Sequence, residues 1–407
     1  MNCPVVSAAL VFGVALCSIG AAAATPTVSQ TTQPAGELRT EHYDLQVQCL
    51  DASEVGRMLE QLHAQLSEYF GAAPSGRLSF AVYASRDEWA SALRAEGQYV
   101  PPNAGGYYSP QLRKVYAWIQ PSAYFTRQVL LHEATHQFHW LTATGNSTPT
   151  SDWYAEGLAE YFGMHDWDGG HLRTGVIPAV TLEDYPAAAL KAFEAAGEDV
   201  RKMSSGAGRP AAWAIVHFLR NKHPDQFRQL SARLDRQEDA AGAWDKVLKG
   251  DLSRLSQEFG SWLKSHVQPW QIVWANWQQR GDAIEGDSQT MSLAVLKATP
   301  KTLAYRIEPQ TAGVTTGLVF GYRSPKDFYV FQALGAHSVR IIHRKDGTWT
   351  AEGLGKPTAV DDCTVLSITQ DDKSTTLWAG GKQVARIAAV GQVGLNVENG
   401  RALFRPI

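Results

Sequence analysis

Residues 131–136 read Leu131-His132-Glu133-Ala134-Thr135-His136 and decide the reading of the first two-thirds of the chain. His132 and His136 stand at i and i+4, one helical turn apart on one face, so both imidazoles can reach a single ion. Imidazole nitrogen and carboxylate oxygen suit zinc, which accepts tetrahedral geometry. Glu133 lies beside the pair, placed to handle the proton of a water rather than to ligate. With 12 His in 407 residues, chance supplies this His-Glu-x-x-His pattern about 0.02 times. The apolar flanks Val129, Leu130, Leu131 and Phe138 predict a buried helix over Phe125–Leu141.

A catalytic zinc needs a third protein ligand and leaves its fourth position open. Three residues compete. Thr142 sits ten positions after His132, where one class of zinc enzymes carries a third histidine, and threonine is a poor donor. His139 shares the helical face but lies a further ~4.5 Å along the axis beyond His136. It is read as packing or hydrogen-bonding behind the site. Glu156 follows His136 by 20 positions, room for a loop and an antiparallel return. The stretch Asp152-Trp153-Tyr154-Ala155-Glu156-Gly157-Leu158-Ala159-Glu160-Tyr161-Phe162 reads as a second helix, N-capped by Asp152. Gly157 would let it approach the first helix closely. Glu160, one turn past Glu156, suits orienting a ligand histidine from behind.

His132-Glu133-x-x-His136 followed by Trp153-x-x-Glu156-Gly157-x-Ala159-Glu160-Tyr161 resembles the gluzincin metallopeptidases. It is closest to the peptidase MA-like families and more distantly similar to thermolysin and aminopeptidase N. The resemblance covers residues 40–266 and implies Zn2+ bound by His132, His136 and Glu156, with Glu133 as general base. Two positions depart from the family pattern. Aminopeptidases of this class carry an upstream Gly-x-Met-Glu-Asn strand whose Glu holds the substrate's free amine. Here the segment is Gly105-Gly106-Tyr107-Tyr108-Ser109, with Tyr108 at the Glu position, which points to cleavage inside chains. The family's oxyanion Tyr would fall at Arg209, ten residues before Leu219. Arg209 is therefore the candidate oxyanion stabiliser, with Tyr185 as another possible source.

Around this site the pattern is mixed. His42–Cys49 and Arg77–Ala84 alternate like strands, and Val55–Tyr69 and Ser85–Leu93 read as helices. A hairpin or edge strand is expected at Gly105–Tyr108 with Lys114–Ile119, and further helices over Ala211–Asn221 and Gln226–Leu234. His217 reads as a core histidine. His165 and His171 flank an expected hairpin turn, Asp166–Gly170.

Beyond Pro269 the texture changes to short alternating runs about ten residues apart, separated by Gly, Asp, Asn and Lys turns. That spacing predicts an antiparallel β-sandwich. Gly317–Tyr322, Asp327–Phe331, Lys345–Trp349 and Gly391–Leu395 resemble the concanavalin A-like, laminin-G-like jelly roll over about 270–407. The resemblance implies glycan binding or packing on a neighbour. Trp349 and Trp378 would either stack on a sugar or serve as core and turn aromatics.

The expected fold class is thus α+β: a zincin-like peptidase domain at 41–268, with a small N-terminal sheet and a mostly helical second half, then an all-β jelly-roll sandwich at 269–407. Met1–Ala24 has no charged side chain, a short apolar run and Ala22-Ala23-Ala24, so it reads as a signal peptide for export. Residues 25–40 read as a linker. Cys49 and Cys363 would remain after cleavage, and one bridge or two separate buried thiols both fit. A net charge of −3 shows no basic face, which argues against nucleic acid, and no span is expected in the mature chain. The function expected is an exported zinc peptidase acting on peptide or protein substrates. The alternative is an inert zincin fold serving as an envelope or glycan-binding adhesion module through its sandwich.

Overall fold

The structure is a computed structural model that describes residues 36–407 except 182, 275–276 and 352–354. The expected signal segment and most of the expected linker lie outside the described residues. The last linker positions are structured: Gly36–Arg39 form β1, paired antiparallel with β2 (Tyr43–Val47).

The elements follow from local chemistry. In α1 (Ala52–Phe70) the side chain of Asp51 caps the N-terminus through Ser53 N–H, and Gly71 ends the helix at φ +66, a conformation that favours glycine. Its buried Val55, Met58, Leu59, Leu62 and Leu66 keep helical spacing. After β3 (Leu78–Tyr83), Ser85 caps α2 (Arg86–Ala95). The expected hairpin is β4 (Gly106–Ser109) with β5 (Lys114–Trp118). Ser122 caps α3 (Ala123–Thr142), the His-Glu-x-x-His helix. α4 (Asp152–Gly163) begins one residue after Ser151, so the N-cap is Ser151 rather than the expected Asp152, which sits inside the first turn. A small hairpin, β6 (His165–Trp167) with β7 (Leu172–Thr174), follows. Five helices follow: α5 (Tyr185–Ala195), α6 (Val200–Ser204), α7 (Arg209–Lys222), α8 (Pro224–Asp235) and α9 (Ala240–Leu248). α10 (Leu252–His266) comes after them.

The chain divides into two compact units, one reaching to residue 176 and including 188–265, the other formed by 177–187 with 266–407. The first contains a five-stranded sheet in the order β1-β2-β3-β5-β4, parallel across β2, β3 and β5 and antiparallel at both edges. α3 packs against β4 and β5, and α4 packs against both α3 and α7. Because α3 is covered on several sides, it buries apolar residues all round, together with the polar Gln128, His132 and Glu133. Gly157 permits a close approach, but to α7 rather than to the first helix: a Cβ there would collide with the Ala212 carbonyl and come within 2.7 Å of Val216. The α3–α4 approach occurs at Gly163, against Gln128 and His132.

The second unit is an antiparallel β-sandwich. One sheet has seven strands in the order Lys382–Ile387, Thr375–Ala379, Val365–Gln370, Thr302–Pro309, Gly400–Pro406, Ala283–Ser288 and Trp277–Arg280. The other centres on Thr315–Ser324, flanked by Asp327–Ala333 and Gln392–Glu398. Inward residues of both sheets, among them Leu303, Ile307, Ile368 and Phe404 from one and Leu318, Phe320, Phe331 and Leu395 from the other, form one core. The second sheet is apolar on its other face too. Leu293, Val295, Val319, Tyr322, Phe328 and Val330 form a separate buried cluster there. Among the described residues no helix is long and apolar enough to cross a membrane. Cys49 is exposed and Cys363 buried, and both thiols are free.

Candidate metal centre

Four residues expected from the sequence meet where α3 faces α4. His132 Nε2 lies 2.9 Å from His136 Nε2 and 3.6 Å from Glu156 Oε2, and His136 Nε2 lies 3.4 Å from Glu156 Oε1. Donors about 2.0–2.1 Å from one tetrahedral zinc stand about 3.3 Å apart. The three separations bracket that edge, and the donor set of two imidazoles and a carboxylate is one zinc accepts. Among the described residues this is the one group of three or more such donors close enough to share an ion.

The fourth residue, Glu133, is 2 % exposed, and its Oε1 has no hydrogen-bond partner. Burial raises its pKa, while the nearby His132 and His136 pull in the other direction. β4 is what makes room for it. A Cβ on Gly106 would come within 2.6 Å of Glu133 Cγ, so the strand can lie on the carboxylate only because this position is glycine. Neither Gly106 nor Gln128 was picked out from the sequence as part of the site. Its place one turn before His132, on the same helical face, was the available signal for Gln128.

Behind His132 stands Glu160, fully buried. Its Oε1 lies 3.0 Å from His132 Nδ1, close though off-axis for a hydrogen bond. Arg209 Nε donates to the same Oε1 at 2.5 Å, and Gln128 Nε2 donates to Oε2 at 3.1 Å. Burial alone would raise the pKa of this carboxylate, but Arg209 first and then His132 hold it well below the usual range. A proton on His132 Nδ1 facing this anion leaves the Nε2 lone pair directed at His136 and Glu156. Arg209, expected as an oxyanion group, thus has an ion-pair partner within the site, at the start of α7.

The remaining candidates sit elsewhere. His139 points away, with Nε2 3.0 Å from Asp235 Oδ1 and its ring stacked on Phe70. Thr142 donates to the Phe138 carbonyl at 2.7 Å. His217 packs among Trp213, Trp262 and Tyr161 and meets the Gly175 carbonyl at 3.0 Å. His165 stacks on Tyr124, meets the Gly163 carbonyl at 2.8 Å and accepts from Arg127. Burial pushes its pKa down to about 3, so it is neutral at pH 7. His171 lies on the exposed turn beside Asp168. Tyr185 is buried at the start of α5. On β4, Tyr108 donates to Asn146 Oδ1 at 2.8 Å and packs edge-on to Trp140, while Tyr107 is half-buried.

No protein-family model matches the chain, and no curated protein matches it. Solved structures similar to part of it include a carbohydrate-binding module, CBM66, from Bacillus subtilis, at 18% identity and TM-score 0.30. It covers 34% of this chain and 92% of that one. The galectin LEC-6 of Caenorhabditis elegans shares 15% identity at TM-score 0.24, covering 31% and 96%. A Bacillus licheniformis β-glucanase shares 12% at TM-score 0.24, covering 33% and 89%. Likenesses this distant carry no argument about what this chain does.

Proposed function

We propose that this chain is an exported zinc-dependent peptidase that cuts within polypeptides. The observation that carries the reading is the convergence of His132 Nε2, His136 Nε2 and a Glu156 carboxylate oxygen at 2.9–3.6 Å from one another, beside a buried Glu133. Zinc held by those three residues would supply a Lewis acid for the scissile carbonyl and acidify water to a pKa of about 7. Glu133 would serve as the general base, holding a proton at Oε1 and passing it to the leaving amine, a role that its buried, unpartnered Oε1 suits. Glu160, charged because Arg209 and Gln128 hold it so, fixes the tautomer and tilt of His132. Arg209 then acts chiefly by positioning, and its sequence-based role at the oxyanion becomes secondary.

The substrate is an extended main chain. β4 is an edge strand, so among the described residues one side of its backbone pairs with no strand, and it runs beside Glu133. An extended peptide can add to such an edge by main-chain hydrogen bonds. A recogniser of a free amine needs a carboxylate at this edge, because an unpaired buried ammonium is costly. Tyr107 and Tyr108 stand there instead. N-acetylated peptides should be cleaved as well as their free-amine versions, with activity lost on chelation and restored by zinc. A strong preference for free amines, abolished by acetylation, would overturn the endopeptidase reading.

A second reading concerns the sandwich alone: glycan binding by a concanavalin A-like fold, with an inert helical unit. Its support is Trp349, 42% exposed, with the Arg344 guanidinium 5.6 Å from its ring. Trp378 offers less, since its ring N–H is bonded to Thr369 Oγ1. A glycan array probed with wild type and Trp349→Ala tests it, and identical patterns would dismiss a sugar platform at Trp349.

A further inference from the structure

The helical unit holds a cavity of about 880 Å³ walled by α1, α4, α7 and α8. None of His132, Glu133, His136, Glu156 or Glu160 lines it. Four charged residues line it, Glu68, Arg220, Arg228 and Asp235, and of the two arginines Arg228 faces Asp225 while Arg220, on α7, faces inward rings. The Arg220 guanidinium carbon lies 4.6 Å from the Tyr69 ring centroid, 5.0 Å from Tyr161 and 5.7 Å from Phe162, and all three rings line the cavity. These rings hold the guanidinium by cation–π attraction but accept none of its five N–H donors in the ordinary way.

Arg220 is half-buried, makes no hydrogen bond to a described residue and has no described carboxylate within 4.0 Å. Other half-buried arginines of the unit do find anions: Arg201 meets Asp245 at 3.0 Å, Arg209 meets Glu160 at 2.5 Å and Arg233 meets Glu238 at 3.1 Å. The first 36 residues contain no Asp or Glu, so that segment cannot bring the missing charge.

We propose that this cavity binds a small organic monocarboxylate with an apolar body, its carboxylate paired with Arg220 and its body against Tyr69, Tyr161 and Phe162. The guanidinium fork matches a carboxylate in two parallel hydrogen bonds. The volume falls within the range of about 300–1,000 Å³ typical of small-molecule sites and far exceeds what a bare ion fills. Two arginines line the cavity, but Arg228 already faces Asp225 at 3.3 Å, which leaves Arg220 as the cation to be matched, whereas Glu68 and Asp235 also line the cavity. Their negative charges disfavour a dianion such as a phosphate monoester. The site stands apart from the metal centre and does not depend on the peptidase reading.

Isothermal titration calorimetry of the whole mature chain with benzoate, phenyl phosphate and benzyl alcohol tests it. Benzoate should bind saturably, with the other two weaker by about tenfold or more. Arg220→Gln should weaken benzoate by at least about tenfold, with Arg220→Lys between, because a point charge lacks the fork. Ala232→Trp, at an exposed cavity position on α8, should block benzoate while leaving Arg220 in place. If Arg220→Gln does not fold, Ala232→Trp decides alone. Chelator should change nothing. The proposal is overturned if benzoate does not bind, if its affinity is unchanged in the variants that fold, if phenyl phosphate binds as tightly, or if chelation abolishes binding.

Discussion

Two buried polar clusters, one in each unit, differ in how they are satisfied. The one in the sandwich closes on itself: Gln332 accepts from Arg340 at 2.7 Å and donates to Asn396 Oδ1 at 3.3 Å, and Asn396 donates to the Ser292 carbonyl at 3.4 Å. Such a network is complete and stabilises the sheet it spans. In the helical unit, His132, His136, Glu133 and Glu156 converge on one another with acceptor lone pairs and charge left over. Natural cores rarely tolerate that arrangement without a purpose. What the contrast teaches is where to look for chemistry. A polar residue buried and satisfied is structure, and donors that converge on one point are where chemistry is to be tested.

The comparison can be broken most severely at Glu133. Glu133→Gln should keep shape and zinc while removing the proposed base, and turnover should fall about 10²–10⁴-fold. A fully active variant would remove the mechanism. Arg209 comes next. Removing it takes the guanidinium from the buried Glu160 and leaves it Gln128 and His132, so Arg209→Ala should destabilise the helical unit by about 3–5 kcal/mol. Zinc affinity should also weaken, through His132. Calorimetric unfolding with an unchanged transition for this unit would show the pair to be dispensable.

Zinc itself should separate the units. At 100-fold excess over its dissociation constant it stabilises the unit that binds it by about 2.7 kcal/mol. Chelation should then lower the transition of the helical unit and leave that of the sandwich where it was. A shift of both, or of neither, would contradict the assignment. The glycines sharpen the contrast at smaller cost. Gly157→Ala presses a Cβ onto the Ala212 carbonyl of α7, and Gly317→Ala presses one onto the Phe331 carbonyl of the adjacent strand. Each should cost about 1–3 kcal/mol, confined to its own unit.

Much of this was legible in the sequence because local chemistry agreed with the fold. The periodicity of residues 55–69 and the stop at Gly71 gave α1, the alternation beyond residue 269 gave the sandwich strands, and His132 to Glu156 gave the cluster. Four things were not legible. β1 lies in what reads as a polar linker, because an edge strand of four residues draws its stability from pairing with β2 rather than from its own pattern. The partner of Gly157 was misplaced, since a glycine announces close approach but not to what. Arg209 was matched to an oxyanion role by counting along the chain. Its contact with Glu160, 49 positions away, is a tertiary fact that spacing alone could not reveal. The apolar outer face of the second sheet was hidden for a related reason: Phe320 and Val319 face opposite sides, and both sides are covered.

Zinc content of the purified chain tests the central claim most directly. Elemental analysis of wild type, Glu156→Gln and Glu160→Gln after zinc loading and removal of excess should give one zinc per chain for the wild type and little for Glu156→Gln. Glu160→Gln, which keeps all three donors but breaks the Arg209 ion pair and loosens His132, should weaken affinity by about 10–100-fold yet hold zinc near saturation. A wild-type chain that binds no zinc would contradict the account, as would a Glu156→Gln chain that keeps its metal while Glu160→Gln loses it.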